Sequence, residues 1–492
     1  MDDEQGPTVG LGPVAAAALV FGSSAAVLVV ELVALRLLAP HFGLTLETST
    51  LVIGLALAAI AAGTWAGGWV ADRVAPRPLL GPLLGVSGAA VAVTPVVVRG
   101  AAAAGPDLLT LAAALTILVP GALLSAVSPV VVKLRLTSLH ETGAVVGRLS
   151  GIGTVGAIAG TVLTGFVLIS RVPVSGILVG LGVLLLAASV AVQATGRRGR
   201  GDAVLGAVVA MGALAATATP SGCDTETTYH CLAVAADADR ATGRTLVLDG
   251  LRHSYVDLED PTHLEFAYVR AMAAAVEVGL PGDDPLDAYF LGAGGLTLPR
   301  WLDATRPGSD ALVSEIDGGV VAADVDLLGD SFPAGTEVRV EDGRQGIERL
   351  GSDGRDLVVG DAFGGVSVPW HLATVEALEG IDAALRDDGL YVANLIDHGP
   401  LDFARAYVRT TAEVFDHVTL LAPPAVLDGD DGGNLVLVAS DAPLDADAVV
   451  EQMAARDLGW RSLAGDDLAG WTQSAPVLTD DFAPVDQLLT PY

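Results

Sequence analysis

The sequence predicts two joined folds: an α-helical transmembrane bundle of about seven helices over residues 1–220, and a C-terminal α/β domain over residues 245–492 that opens on a small β-hairpin region. Residues 221–244, which carry both cysteines, read as the linker. Three observations support this division. Apolar runs long enough to span a bilayer recur only in the first half. Charge is sparse before about residue 220 and dense after it, although the chain as a whole is 52% apolar with a net charge of −32. After residue 230, short apolar strands alternate with helical segments, the rhythm of a parallel sheet covered on both faces.

The spans are expected near 14–38, 46–70, 79–99, 107–132, 150–171, 173–193 and 203–219, the last being the shortest. The first residues, MDDEQGPTVG, lack the basic stretch of a cleavable signal, so the first helix is expected to be an uncleaved anchor. Arg73, Arg77, Lys133, Arg135, Arg148, Arg197, Arg198 and Arg200 fall in one set of loops, and the alternate loops hold only Arg99 and Arg171. The positive-inside rule then puts the N-terminus in the cytoplasm. With seven spans, everything beyond residue 220 lies outside the cell. Gly63 with Gly67, and Gly156 with Gly160, stand one helical turn apart and suit close backbone packing. Glu31 and Arg36 are charges near the end of the first helix, where a polar cavity or a partner helix would hold them.

Cys223 and Cys231 are the only cysteines. Just beyond a span, they suit a small-loop disulfide in an oxidising compartment or two unpaired thiols. No second ligand cluster accompanies them, so no metal is expected. Lys133 is the only lysine. Such acidity with so little lysine suits a halophilic setting, where salt screens self-repulsion, and a GC-rich genome gives the same bias. No basic patch exists to neutralise phosphates, which excludes nucleic acid as a partner.

In the second half, TLVLDGLRHSYVDL (245–258) reads as a hairpin turning at Asp249-Gly250, and DPTHLEFAYVRAMAAAVEVGL as an amphipathic helix. Five strands follow, ending LDAYFLG, DALVSEID, TEVRVEDG, DLVVGDAF and GLYVANLI. Ligands of such sheets sit at the strand C-termini. There the chain places Gly292, Gly294 and Gly295 in a loop that admits close backbone approach. Next come Glu315 and Asp317, at the spacing of a ribose-diol acceptor. Asp342-Gly343 follows, where a carboxylate meets an adenine amine, and then Asp361 over the crest of the sheet. Each acid alone reads as a solvated loop residue in so acidic a chain. Together, at successive strand ends, they point to a nucleoside pocket.

The order LVLDG, DPTHLEFAYVRAM, YFLGAGGLTLPR, EID, VEDGR and DLVVGDAFGG…VPWHLAT resembles the spermidine synthase (polyamine aminopropyltransferase) family over about 245–420. ELVALRLLAPHFG and GTWAGGWVADR resemble the multi-helix region fused to such domains in some prokaryotic proteins. The resemblance implies a Rossmann-like, methyltransferase-type sheet behind a small β-domain. It implies decarboxylated S-adenosylmethionine or S-adenosylmethionine as cosubstrate, and a small amine as acceptor. It makes Glu315 the ribose ligand, Asp342 the adenine ligand, Asp361 the general base that frees the attacking amine, and Tyr268 a pocket wall. The sequence departs from the family pattern at three places. The glycine loop lacks its aspartate, Gly364-Gly365 follow Asp361 where a second aspartate is expected, and His253 stands for a glutamine. The first reading is therefore a membrane-anchored aminopropyl or related transferase. A non-catalytic polyamine- or nucleoside-binding, transport-linked protein and an S-adenosylmethionine methyltransferase are the alternatives. Oligomeric state stays open.

Overall fold

The computed structural model describes residues 11–42, 45–136, 141–169, 171–194, 223–328, 332–352 and 354–490. These fall into two compact units that divide between Thr228 and Tyr229.

The first unit is helical. It contains α1 (Pro13–Phe42), α2 (Leu46–Ala71), α3 (Pro76–Ala104), α4 (Pro106–Ser125), α5 (Val127–Arg135), α6 (Thr142–Leu163) and α7 (Val174–Ala194), and ends in a two-residue strand, β1 (Thr225–Glu226). With α4 and α5 counted as one span, six helices are long and apolar enough to cross a membrane among the described residues, against an expected seven. The expected span 203–219 lies outside the described residues. Glycine sets the packing. A Cβ on Gly156 or Gly160 of α6 would stand 2.3 Å from Phe21 O or 2.6 Å from Ala25 O of α1. One on Gly63 or Gly67 of α2 would meet the backbone of Ala122 or Ala126 at 2.1 and 2.7 Å. Helix backbones at that separation tolerate no side chain between them. Trp65, Phe166 and Leu184 face outward, with relative exposures of 73%, 79% and 66%.

The ends of the bundle differ in their polar contacts. At one end Lys133 pairs with Asp72 at 2.7 Å and Arg135 donates to Leu11 O at 3.0 Å. At the other, Arg99 donates to Glu226 at 2.8 Å, Ser175 Oγ donates to the same carboxylate at 3.0 Å, and Arg36 donates to Thr227 O at 3.2 Å.

The second unit opens on an antiparallel meander of β2 (Cys231–Ala236), β3 (Gly243–Leu248) and β4 (Leu251–Asp257). Asp249 and Gly250 turn β3 into β4 with φ of +53° and +83°. The expected linker 221–244 is therefore partly sheet. Leu232 is buried with Leu246, Leu248 and Val320, so this stretch carries core side chains that a linker would lack. Its short CLAVAA run has too little alternation to announce a strand. Both cysteines are disulfide-bonded.

An eight-stranded sheet follows, built from β5 (Asp287–Leu291), β6 (Asp310–Glu315), β7 (Thr336–Val340), β8 (Arg355–Gly360), β9 (Leu385–Asp397), β10 (His417–Ala422), β11 (Gly433–Ser440) and β12 (Arg461–Ala464). Their order is β12-β10-β11-β9-β8-β5-β6-β7. β7, β6, β5, β8 and β9 are parallel, and β11 returns antiparallel beside β9. Alternation along each strand feeds two cores. Tyr289, Leu291, Val358 and Tyr391 enter one; Ala288, Phe290, Val359 and Val392 enter the other. Strand order reverses between β5 and β8, and that switch point is where such sheets open a crevice.

Candidate active site

A cleft of about 930 Å³ lies at the carboxyl edge of the sheet, entirely within the second unit. Gly292, Gly294, Glu315, Asp342, Gly343, Asp361, His253 and Tyr268 all line it. Three acids separated by up to 46 positions in sequence thus share one opening, because β8, β5, β6 and β7 lie side by side and parallel.

Gly292 and Asp361 meet at the switch point. Gly292 has φ +99°, and a Cβ there would stand 2.5 Å from Asp361 O. Only glycine lets the two strand ends close. Asp361 faces the cleft in part, but its carboxylate is packed among protein atoms. Oδ2 accepts from Tyr268 OH at 3.1 Å and Oδ1 from Asn394 Nδ2 at 2.8 Å. Burial pushes this carboxyl up to about 6, against the two hydrogen bonds that favour its charged form. The same burial, with Asp361 alongside, holds the Tyr268 phenol well above its usual range. A carboxyl that ionises near pH 6, flanked by a hydroxyl that stays protonated, is chemically able to accept a proton.

Glu315 is held by the glycine loop. Its Oε2 accepts from Ala293 N at 2.9 Å and its Oε1 from Asp317 N at 2.8 Å. Burial raises its pKa. Asp342 caps the helix Gly343–Leu350, with Oδ1 accepting from Arg344 N at 2.9 Å, while Oδ2 lies 3.0 Å from His371 Nε2. His253 is pushed down to about 4, by burial first and the neighbouring His230 second, so its imidazole is neutral at pH 7.

Two expected site residues fall elsewhere. Asp317 is fully buried and does not line the cleft; its carboxylate accepts from Tyr229 N at 3.1 Å and Gly319 N at 2.9 Å, starting the helix Gly318–Leu328. Two residues beyond Glu315, past the end of β6, the chain has already turned away from the crest. Gly295 also lies off the cleft wall, and its φ of +70° fits it closely against Ser254, whose Oγ would stand 2.8 Å from a Cβ.

Sequence reasoning missed several neighbours. Asp324 is fully buried, accepts from Gly295 N at 3.0 Å, and is pushed by burial up to about 7. A carboxylate missing from the glycine loop thus reaches it from the helix that follows β6. His230 lines the cleft with Nδ1 2.8 Å from Asp249 Oδ2. Asn394 and Asn434 line it from β9 and β11. Asn394, in VANLID, was readable as a polar residue at a strand end. Nothing local marked Asn434, and in the sequence His230 reads only as a candidate metal partner of the cysteines, not as a cleft residue.

The parallel crest, the glycine turn at its switch point and the acids on adjoining strand ends define a Rossmann-like, methyltransferase-type α/β domain. No family model matches the chain. It is similar to the polyamine aminopropyltransferase of Vibrio vulnificus, 28% identical over 255 residues, covering 49% of this chain and 81% of that one. It is also similar to that of Chromobacterium violaceum, 28% identical over 146 residues, covering 29% and 53%. A solved probable spermidine synthase from Corynebacterium glutamicum is 27% identical over 53% of this chain and 97% of its own, with a TM-score of 0.49. In sequence the chain is thus similar to polyamine aminopropyltransferases, beside an N-terminal region of apolar helices.

Proposed function

We propose that the second unit is a transferase that moves an aminopropyl or related group from an S-adenosyl-type donor to a small amine, with Asp361 as the general base. The convergence of Glu315, Asp342 and Asp361 on one cleft, around the turn at Gly292, carries this reading. Glu315, fixed by backbone N–H groups, accepts from a ribose diol, and His253 lines the same cleft on the substrate side. Asp342 and Gly343 meet the adenine, and Gly292 and Gly294 admit the backbone close to the donor. Across the switch point the acceptor amine gives its proton to Asp361, and its freed lone pair attacks the carbon next to the sulfonium. A C–N bond forms, the C–S bond breaks with its electrons on sulfur, and a neutral thioether nucleoside leaves. The acceptor is read as an amine other than putrescine, because the loop Gly292–Gly295 holds no aspartate and Gly364 and Gly365 follow Asp361 where the resemblance leads one to expect a second one.

Purified full-length protein, given decarboxylated S-adenosylmethionine and a panel of amines, is expected to release thioether nucleoside only when both are present. Release only with S-adenosylmethionine, alongside a methylated product, would replace this reading with a methyltransferase. Specific amine or nucleoside binding without turnover would replace it with a binding module.

We further propose that the six apolar helices span the bilayer, that 203–219, outside the described residues, makes the seventh crossing expected from sequence, and that the second unit works outside the cytoplasm. The chain leaves the first unit through residues 226–227, held by Arg36, Arg99 and Ser175 where α1 and α3 end and α7 begins. The opposite end carries Arg73, Arg77, Lys133, Arg135 and Arg148, the cytoplasmic face by loop charge. The disulfide suits an oxidising compartment. A periplasmic-type reporter fused after Tyr492 is expected to be active. Activity of a cytoplasmic reporter alone would reverse the assignment.

A further inference from the structure

Beyond Asp361, away from the nucleoside acids, the crest passes to β9 and then β11. Asn394 lies opposite Val436, and Asn434 opposite Ile396. The two asparagines are therefore diagonal neighbours on one face of an antiparallel pair. Asn394 is 3% exposed. Its Nδ2 donates to Asp361 Oδ1 at 2.8 Å, and its Oδ1 accepts from Asn434 Nδ2 at 2.9 Å.

This chain of bonds has one consistent polarity. An ionised carboxylate only accepts, so Asn394 must turn its NH2 toward Asp361. Its carbonyl oxygen then faces Asn434, which must offer its own NH2. Asn434 in turn keeps Asn394 from rotating, since a flipped Asn394 would set carbonyl against carboxylate at one end and NH2 against NH2 at the other. Both amides stand on paired strands rather than loops, so the backbone holds the chain in register.

We propose that Asn434, acting through Asn394, is a positioning residue that holds the base Asp361 in the orientation and charge state that transfer requires. The inference rests on reading Asp361 as the base. The titratable group facing Asp361 is Tyr268, from the helix Ala267–Gly279. The loop after β5 contributes backbone at Gly292, and β9 contributes the uncharged amide of Asn394. Asn394's hydrogen bond favours the ionised form of Asp361 against burial. Without Asn434 the Asn394 amide is free to flip, and the carboxyl holds its proton to higher pH.

The test uses full-length protein in membranes, with Asn434→Leu, which is close in shape but cannot donate, Asn434→Ala as a smaller second variant, and Asn434→Gln, which keeps a donating amide. Asp361 is titrated by infrared difference spectroscopy, its carboxyl band being the one lost in Asp361→Asn. The Leu and Ala variants are expected to move the midpoint up by about one pH unit, the scale of a hydrogen bond to a charged group. The acidic limb of kcat/KM should move with it, donor affinity should not change, and the Gln variant should show little of the shift. If Leu and Ala both titrate like the parent, or Gln shifts as far as they do, the positioning role is wrong. The band is read without turnover, so the two readings separate. A shifted band in a protein that transfers nothing upholds the relay and removes the transferase. Transfer with an unmoved band does the reverse.

Discussion

The two sides of the cleft are built from different chemistry. On the β6 and β7 side stand carboxylates, Glu315 and Asp342, each pinned by backbone N–H groups. On the β9 and β11 side stand neutral amides, Asn394 and Asn434, pinned by each other and by Asp361. The first arrangement fixes hydrogen-bond acceptors, the chemistry that the proposed nucleoside donor needs. The second holds Asp361 through uncharged amides, and Asp431, just before β11, also lines the cleft. The difference teaches that one side of the cleft offers fixed anionic acceptors while the other orients a carboxyl through uncharged amides, the division that the proposed donor and acceptor roles require.

Four changes would break or sharpen that contrast, taken in decreasing order of effect. Asp361→Asn removes the group between the two sides and should lower kcat by about 10²- to 10⁴-fold, with donor affinity kept, as read by steady-state turnover and donor calorimetry. Glu315→Gln should weaken donor binding by about 10- to 100-fold, the scale of a hydrogen bond to a charged acceptor, and leave the acceptor KM unchanged. Equal loss on both sides would erase the contrast.

The pH dependence comes third. Asp361 titrates at about 6, above its ordinary range, because burial disfavours the charge. The base form is needed, so kcat/KM should rise with pH through about 6 and plateau above it. For stability the sign is opposite. The folded state holds this proton more tightly than the unfolded chain, so the contribution of Asp361 to folding is present at acid pH and is lost as pH rises through about 6. Asp361→Asn should flatten that part of the stability profile in denaturant titrations. Smallest is Asp342→Ala. It removes a helix cap, costing about 1 kcal/mol in thermal or denaturant unfolding, and should weaken donor binding only a few-fold, because His371 and the helix N–H groups already engage this carboxylate.

The apolar spans, the strand-helix rhythm and the acids at strand ends were legible because each is a local pattern. Leu286–Leu291 and Leu357–Val359 read as buried strands from their own residues, and Gly292 and Asp361 announced themselves by following them. What was not legible depended on where distant strands lie. Glu315 and Asp317 are two residues apart and equally acidic, yet one faces the cleft and the other is buried as a helix start. CLAVAA gave no period, so β2 was read as linker. Asn434 lies 40 residues from Asn394, in a strand whose own pattern says only that it is buried.

By itself, the sequence determined that an apolar helical half precedes an acidic α/β half, and which carboxylates and glycines end the parallel strands, because hydropathy and strand period are written within a few residues. Tertiary structure alone decided that β11 returns antiparallel beside β9, bringing Asn434 to Asn394 next to Asp361, and that Asp324 reaches the glycine loop from outside it. Those pairings join residues that share no local pattern, and only the order of strands in the sheet brings them within hydrogen-bonding distance.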